Sequence, residues 1–170
     1  MWKTLRQIQR VGVVTERAPA SDEDMRLRGA LQAGIARVLG RALCIRHVDA
    51  GSCNGCELEI HALNNPIYDI ERFGIRFVAS PRHADVLLVT GPVTHNMKEA
   101  LLRTWRATPD PKWVVAAGDC ACTGGLFAAS YAVAGAVKDV VPVDLHIRGC
   151  PPTPTALLSG LLALLARQTT

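Results

Sequence analysis

The sequence predicts an α/β sandwich built on a mainly parallel sheet, and three observations carry that expectation. From residue 43 onward, short apolar runs alternate with helical stretches, the pattern of successive βα units. Three of those apolar runs lead straight into glycine-marked loops, as expected where a strand gives way to a turn. The chain has 170 residues, 49% hydrophobic and 20% charged, enough to bury the core of one domain and too apolar for extended disorder.

Residues 1–42 read as an N-terminal arm and helix, and residues 43–170 as the α/β domain. In "MWKTLRQIQR", Trp2, Leu5 and Ile8 fall at helical spacing among Lys3, Arg6 and Arg10. That basic amphipathic pattern suits an interface or a frayed terminus equally. Ser21, with Asp24 three positions on, predicts a capping-box start for a second helix. Its apolar stripe would be Leu27, Leu31, Ile35 and Val38, and its wet face Arg26, Arg28 and Arg37. Strands are expected at 43–49, 75–79, 85–90, 113–118 and 141–147, and further helices at 54–63, about 96–106 and 154–166. Met97, Leu101 and Trp105 recur every four residues in the second of these helices; Thr153 caps the third, and Pro154 suits its first position.

Composition narrows the function. The net charge is +4, the basic residues are dispersed and aromatics make up 5%, so no nucleic-acid partner is expected. The basic start has no apolar run of signal-peptide length, and Ala156–Ala166, the longest apolar stretch, is about half a bilayer span. A cytosolic chain is therefore expected. Six cysteines in such a chain point to metal or redox chemistry more than to a disulfide framework.

Each of three expected strands delivers cysteine to a loop. "RHVDAGSCNGC" supplies Cys53 and Cys56, "VVAAGDCAC" supplies Cys120 and Cys122, and "DLHIRGCPP" supplies Cys150. Ligands of open α/β sheets gather beyond the carboxyl ends of the strands, so these positions would converge at one edge. Gly51, Gly118 and Gly149 precede the cysteines and Gly124–Gly125 follow the second group, which lets backbone approach a bulky group closely. Pro151 after Cys150 echoes the Cys-Pro ending of ferredoxin-type motifs. One CxxC pair with two solitary partners is unlike a zinc ribbon, and a thioredoxin-type dithiol would leave Cys120 and Cys150 unexplained. Spacing favours iron–sulfur; zinc and dithiol chemistry stay open.

"GSCNGCELE", "SPRHADVLLVTGPV", "GDCACTGG" and "RGCPPTP", in this order, resemble the small iron–sulfur subunit of group 4 nickel–iron hydrogenases. That group includes the formate hydrogenlyase and hydrogenase-4 type and is similar to the cluster-bearing subunit of NADH:quinone oxidoreductase. The resemblance covers about residues 43–166. It implies a flavodoxin-like domain holding one 4Fe–4S cluster beside the active site of a larger subunit, with Cys53, Cys56, Cys120 and Cys150 as ligands. Cys122 falls at a variable position of the third motif and Cys44 within a strand, so both are expected to be packing cysteines. Cys-Asn-Gly-Cys, where quinone-reducing relatives have adjacent cysteines, favours the hydrogenase branch.

A nickel–iron centre needs four thiolates of its own, so the catalytic metal would lie in another polypeptide. The implied partners are a large nickel–iron-type subunit, a ferredoxin-like subunit and membrane-arm subunits, on the cytoplasmic side of the membrane. An equivalent subunit of a quinone-reducing or nickel-free complex, and a zinc-stabilised scaffold module, are the alternatives. Asn54 and Glu57 are expected to form a capping box for the helix after the first motif. Glu59, three residues beyond Cys56, is either part of a proton path at the subunit interface or a solvated helix position. Arg148 would either offset cluster charge or face solvent. None of His47, His61, His83, His95 and His146 is needed to complete the cage.

Overall fold

The computed structural model describes residues 2–11 and 22–167. In chain order the elements are α1 (Trp2–Val11), α2 (Asp22–Leu39), β1 (Leu43–Asp49), α3 (Gly55–Ala62) and β2 (Ile75–Phe77). Then follow β3 (Val86–Thr90), β4 (Val93–Thr94), α4 (His95–Ala107), β5 (Trp113–Ala117) and α5 (Asp119–Thr123). The last are β6 (Val133–Gly135), β7 (Leu145–Ile147) and α6 (Pro154–Arg167). The main sheet runs β2-β1-β3-β5-β7, every neighbouring pair parallel, with β4 and β6 as a separate antiparallel pair. Numbered among themselves, the five strands have the order 2-1-3-4-5 of flavodoxin-like sheets, whose direction of winding reverses between the first and third.

Both faces are covered, so the central strands are continuous apolar runs and not alternating ones. Along β3, Leu88 joins one core with Leu31, Ile35, Leu158 and Leu161, under α2 and α6. Its neighbours Leu87 and Val89 join a second core with Leu101, Ala121 and Val137, under α4 and α5. Helix, sheet and helix thus form three layers, as expected. At the amino end of the sheet, Arg41 holds the buried Asp85 through both carboxylate oxygens, at 2.9 and 2.5 Å, and the Cys44 amide donates to the same group at 2.9 Å.

Several expectations need correction. Arg28 is buried, not wet: its Nη1 donates to the Ile67 carbonyl at 2.8 Å and its guanidinium lies over the Tyr68 and Phe73 rings. A long apolar stem with a stacking head lets arginine occupy such a site. The expected strand at 141–147 is confined to Leu145–Ile147. Pro142 has no N–H to donate, and the Asp144 side chain accepts from the Val114 amide where a ladder would otherwise begin. The Thr153 cap is present, accepting from the Ala156 amide at 3.2 Å. The Ser21 box lies outside the described residues.

Candidate metal centre

The site forms where β1, β3, β5 and β7 end. After β1, Asp49 Oδ1 accepts from the Gly51 and Ser52 amides at 2.8 and 2.7 Å, and Ser52 Oγ accepts from the Asn54 amide at 3.1 Å. Burial raises Asp49, but the amide donors of Ser52 and Gly51 outweigh it and hold the carboxyl below its ordinary range. After β5, the Asp119 amide donates to the Gly149 carbonyl at 2.9 Å, and Asp119 Oδ1 accepts from the Gly149 amide at 3.0 Å. This reciprocal pair locks the second cysteine loop to the third. The Cys150–Pro151 peptide is cis.

Cys53, Cys56, Cys120 and Cys150 all line one cavity of about 110 Å³, together with Ser52, Gly91, Asp119 and Gly149. The four expected ligand residues are thus brought together, two of them, Cys53 and Cys150, exposed. Among the described residues, no three His, Cys, Asp or Glu side chains are grouped as a single metal ion requires. Burial, reinforced by Glu57 and by the other three cysteines, pushes the Cys56 thiol up to about 12. Burial, with Cys150 and Cys53 behind it, also raises Cys120. Cys122 is elsewhere: it is buried in the second core, its Sγ directed at the Ala116 and Ile147 carbonyls at 3.6 and 3.8 Å. Cys44 is half-buried in β1.

Glycine determines how closely the backbone and the sulfurs pack. At Gly118 (φ 93°) a Cβ would sit 2.6 Å from the Cys56 sulfur, and at Gly125 (φ 55°) one would sit 2.8 Å from the Cys120 sulfur. Both distances are shorter than a methyl group tolerates, so a side chain at either position would displace a thiol.

The capping box expected at α3 is absent. Asn54 is left-handed (φ 71°) and makes no side-chain cap. Glu57 instead turns inward: it is buried, accepts from the Thr90 hydroxyl and lies 3.5 Å from His47 Nε2. His47 Nε2 is 2.9 Å from Thr90 Oγ1. Thr90 Oγ1 thus lies within hydrogen-bond reach of both Glu57 and His47. Burial lowers the His47 pKa despite the opposing pull of Glu57 and Asp49. The buried second oxygen of Glu57, Oε2, has no hydrogen-bond partner. Sequence reasoning missed this cluster, because a strand histidine, a strand threonine and a glutamate beside a cysteine share no spacing. Glu59 is half-buried on α3 and lines neither the cysteine cavity nor the cavity of about 200 Å³ bounded by Arg46, His47 and Glu57. Arg148 is exposed.

The sequence profile of the NADH ubiquinone oxidoreductase 20 Kd subunit family matches residues 53–164, from the first cysteine of the cavity to the last turns of α6. The chain belongs to this family. Among family relatives, formate hydrogenlyase subunit 7 of Escherichia coli is 48% identical over 77% of this chain and 51% of its own length. The chain thus spans about half of that protein. A probable membrane-bound hydrogenase subunit of Pyrococcus furiosus is 45% identical over 79% of this chain and 81% of that one. An NADH-quinone oxidoreductase subunit of Heliobacterium modesticaldum is 47% identical over 66% of this chain and 65% of that one. A solved chain of the membrane-bound sulfane sulfur reductase, an archaeal respiratory membrane complex, superposes with a TM-score of 0.68 at 34% identity, covering 81% of this chain and 75% of that one. Among the described residues of this 20 Kd family member, no helix is long and apolar enough to cross a membrane.

Proposed function

We propose that this chain is the electron-transfer subunit of a membrane-bound, energy-converting hydrogenase or formate hydrogenlyase-like complex, with Cys53, Cys56, Cys120 and Cys150 holding one 4Fe–4S cluster. The observation that carries the reading is the convergence of four cysteines, from three strand ends, on one cavity. The donor set fits: four thiolates are the usual ligands of such a cluster, and Gly118 and Gly125 leave room where any side chain would strike a sulfur. When bound, the cluster would accept and release single electrons.

The chain's own residues hold the thiols. Asp49 and Asp119 fix the loops that carry them, and Thr90 and His47 orient the buried Glu57 next to Cys56. Glu59 is proposed to relay protons at the subunit interface. Glu59→Gln should then slow proton-coupled turnover of the complex while the cluster spectrum is retained, and unchanged turnover would exclude that role.

A large nickel–iron-type subunit would cover the cysteine edge, where Cys53 and Cys150 are exposed and Leu126 and Tyr131 are 92% and 96% exposed. A ferredoxin-like subunit and membrane-arm subunits complete the complex, on the cytoplasmic side of the membrane. The equivalent subunit of a quinone-reducing or nickel-free complex is the second reading, supported by the likeness to an NADH-quinone oxidoreductase subunit and to a chain of the sulfane sulfur reductase. The large partner decides between them by having or lacking the four thiolates that a nickel–iron centre needs.

Anaerobic purification tests the cluster. A brown protein with about four iron atoms per chain, lost on Cys→Ser replacement at any of the four positions, supports it. A colourless zinc protein overturns it.

A further inference from the structure

Helix α1 lies apart from everything assigned above. Among the described residues it shares no extensive packing with any other element, yet its composition is far from random. Lys3, Arg6, Gln7 and Arg10, spaced i, i+3, i+4 and i+7, line one side of the helix, and all are exposed. Leu5, 52% exposed, lies on the other side, and Trp2, 78% exposed, sits at the border between the two, four residues before Arg6. Its ten residues include no acidic side chain.

An exposed indole and leucine would be covered by a core helix or by a folded partner's groove, but neither needs a continuous cationic side. A nucleic acid would use the cations and leave Trp2 and Leu5 in water. An anionic bilayer surface uses both. Its phosphates meet Lys3, Arg6 and Arg10, and its headgroup–acyl boundary takes an amphipathic aromatic and an aliphatic side chain. We propose that α1 is an interfacial membrane anchor, lying in the plane of an anionic leaflet with Trp2 and Leu5 inserted and the three cations on lipid phosphates.

At ten residues, about 15 Å long, the helix binds weakly and reversibly on its own, and acts as a second attachment beside whatever holds the rest of the complex. The inference does not depend on the cluster, because α1 contributes nothing to the cysteine cavity.

The test is co-sedimentation of the full chain with vesicles of phosphatidylglycerol and phosphatidylcholine, against pure phosphatidylcholine vesicles. Binding is expected only to the anionic vesicles and is expected to be lost in high salt. The triple variant Lys3→Gln, Arg6→Gln, Arg10→Gln should weaken it on the order of a hundredfold, since each cation near such a surface contributes about one kcal/mol. Trp2→Ala should weaken binding in a fold that far-UV circular dichroism shows to be unchanged. Either variant binding as the parent does, or equal binding to neutral vesicles, overturns the proposal. So does binding to native membranes without binding to protein-free vesicles, which would assign α1 to a membrane protein instead.

Discussion

At Gly118 the backbone sits at φ 93° and ψ 155°, a region that other residues essentially do not enter, and a Cβ there would meet the Cys56 sulfur. Gly118→Ala should therefore cost about 1–3 kcal/mol in thermal unfolding of the apoprotein and lower its iron content after cluster loading. Gly55→Ala is the contrast. Its Cβ would find the Cys53 sulfur at 3.6 Å, an ordinary contact, and iron content should not change. Thr90→Val removes the hydroxyl between Glu57 and His47, and should cost about 1–3 kcal/mol by chemical denaturation because a buried carboxylate loses its donor. His47 carries a pH signature. Because burial depresses its folded pKa, this contribution to stability is intact above the ordinary value of about 6.5 and is lost as pH falls through the folded value. Urea unfolding between neutral and mildly acid pH should show that loss, and His47→Gln should flatten it.

Helix α6 and strand β7 illustrate packing at the scale of elements. Gly160 sits inside α6, where Gly→Ala usually gains roughly 0.5–1 kcal/mol. Here the new methyl would strike Ile147 Cδ1 and lie 2.7 Å from its Cγ1, in the core between helix and sheet. Overpacking of that kind costs about 1–3 kcal/mol, so Gly160→Ala should be net destabilising. The penalty should shrink in an Ile147→Val background, which a double-mutant cycle measures. The long elements were legible because they carry a period: α4 and α6 occupy nearly the positions that helical spacing gives, and β1, β3 and β5 are apolar runs with clear ends. The five residues of α5 and the two- and three-residue strands β4 and β6 are too short to carry one. They exist because the chain beyond β3 and β5 is held by its neighbours, as in the Thr94 amide donating to the Ala50 carbonyl at 2.9 Å.

For the whole molecule, loading the cysteine cavity should be coupled to protons and to stability. Cys56 stays a thiol up to about 12 in the apoprotein, so binding a cluster must release its proton, and retention should weaken as pH falls. Iron retained against a chelator, followed across acid and neutral pH, measures this, and a flat profile would contradict it. The loaded chain should also melt higher than the apoprotein, because the bound group stabilises only the folded state. The sequence by itself determined the sandwich, the places where strands end and the four cysteines at those ends, because periodicity, glycine and thiol spacing are local properties of the chain. Only the tertiary structure decided that Arg28 stacks in the interior, that Asn54 leaves α3 uncapped and that Glu57 joins His47 and Thr90 behind Cys56. Those outcomes depend on which surfaces meet after the sheet winds both ways from β1, and no spacing along the chain encodes that encounter.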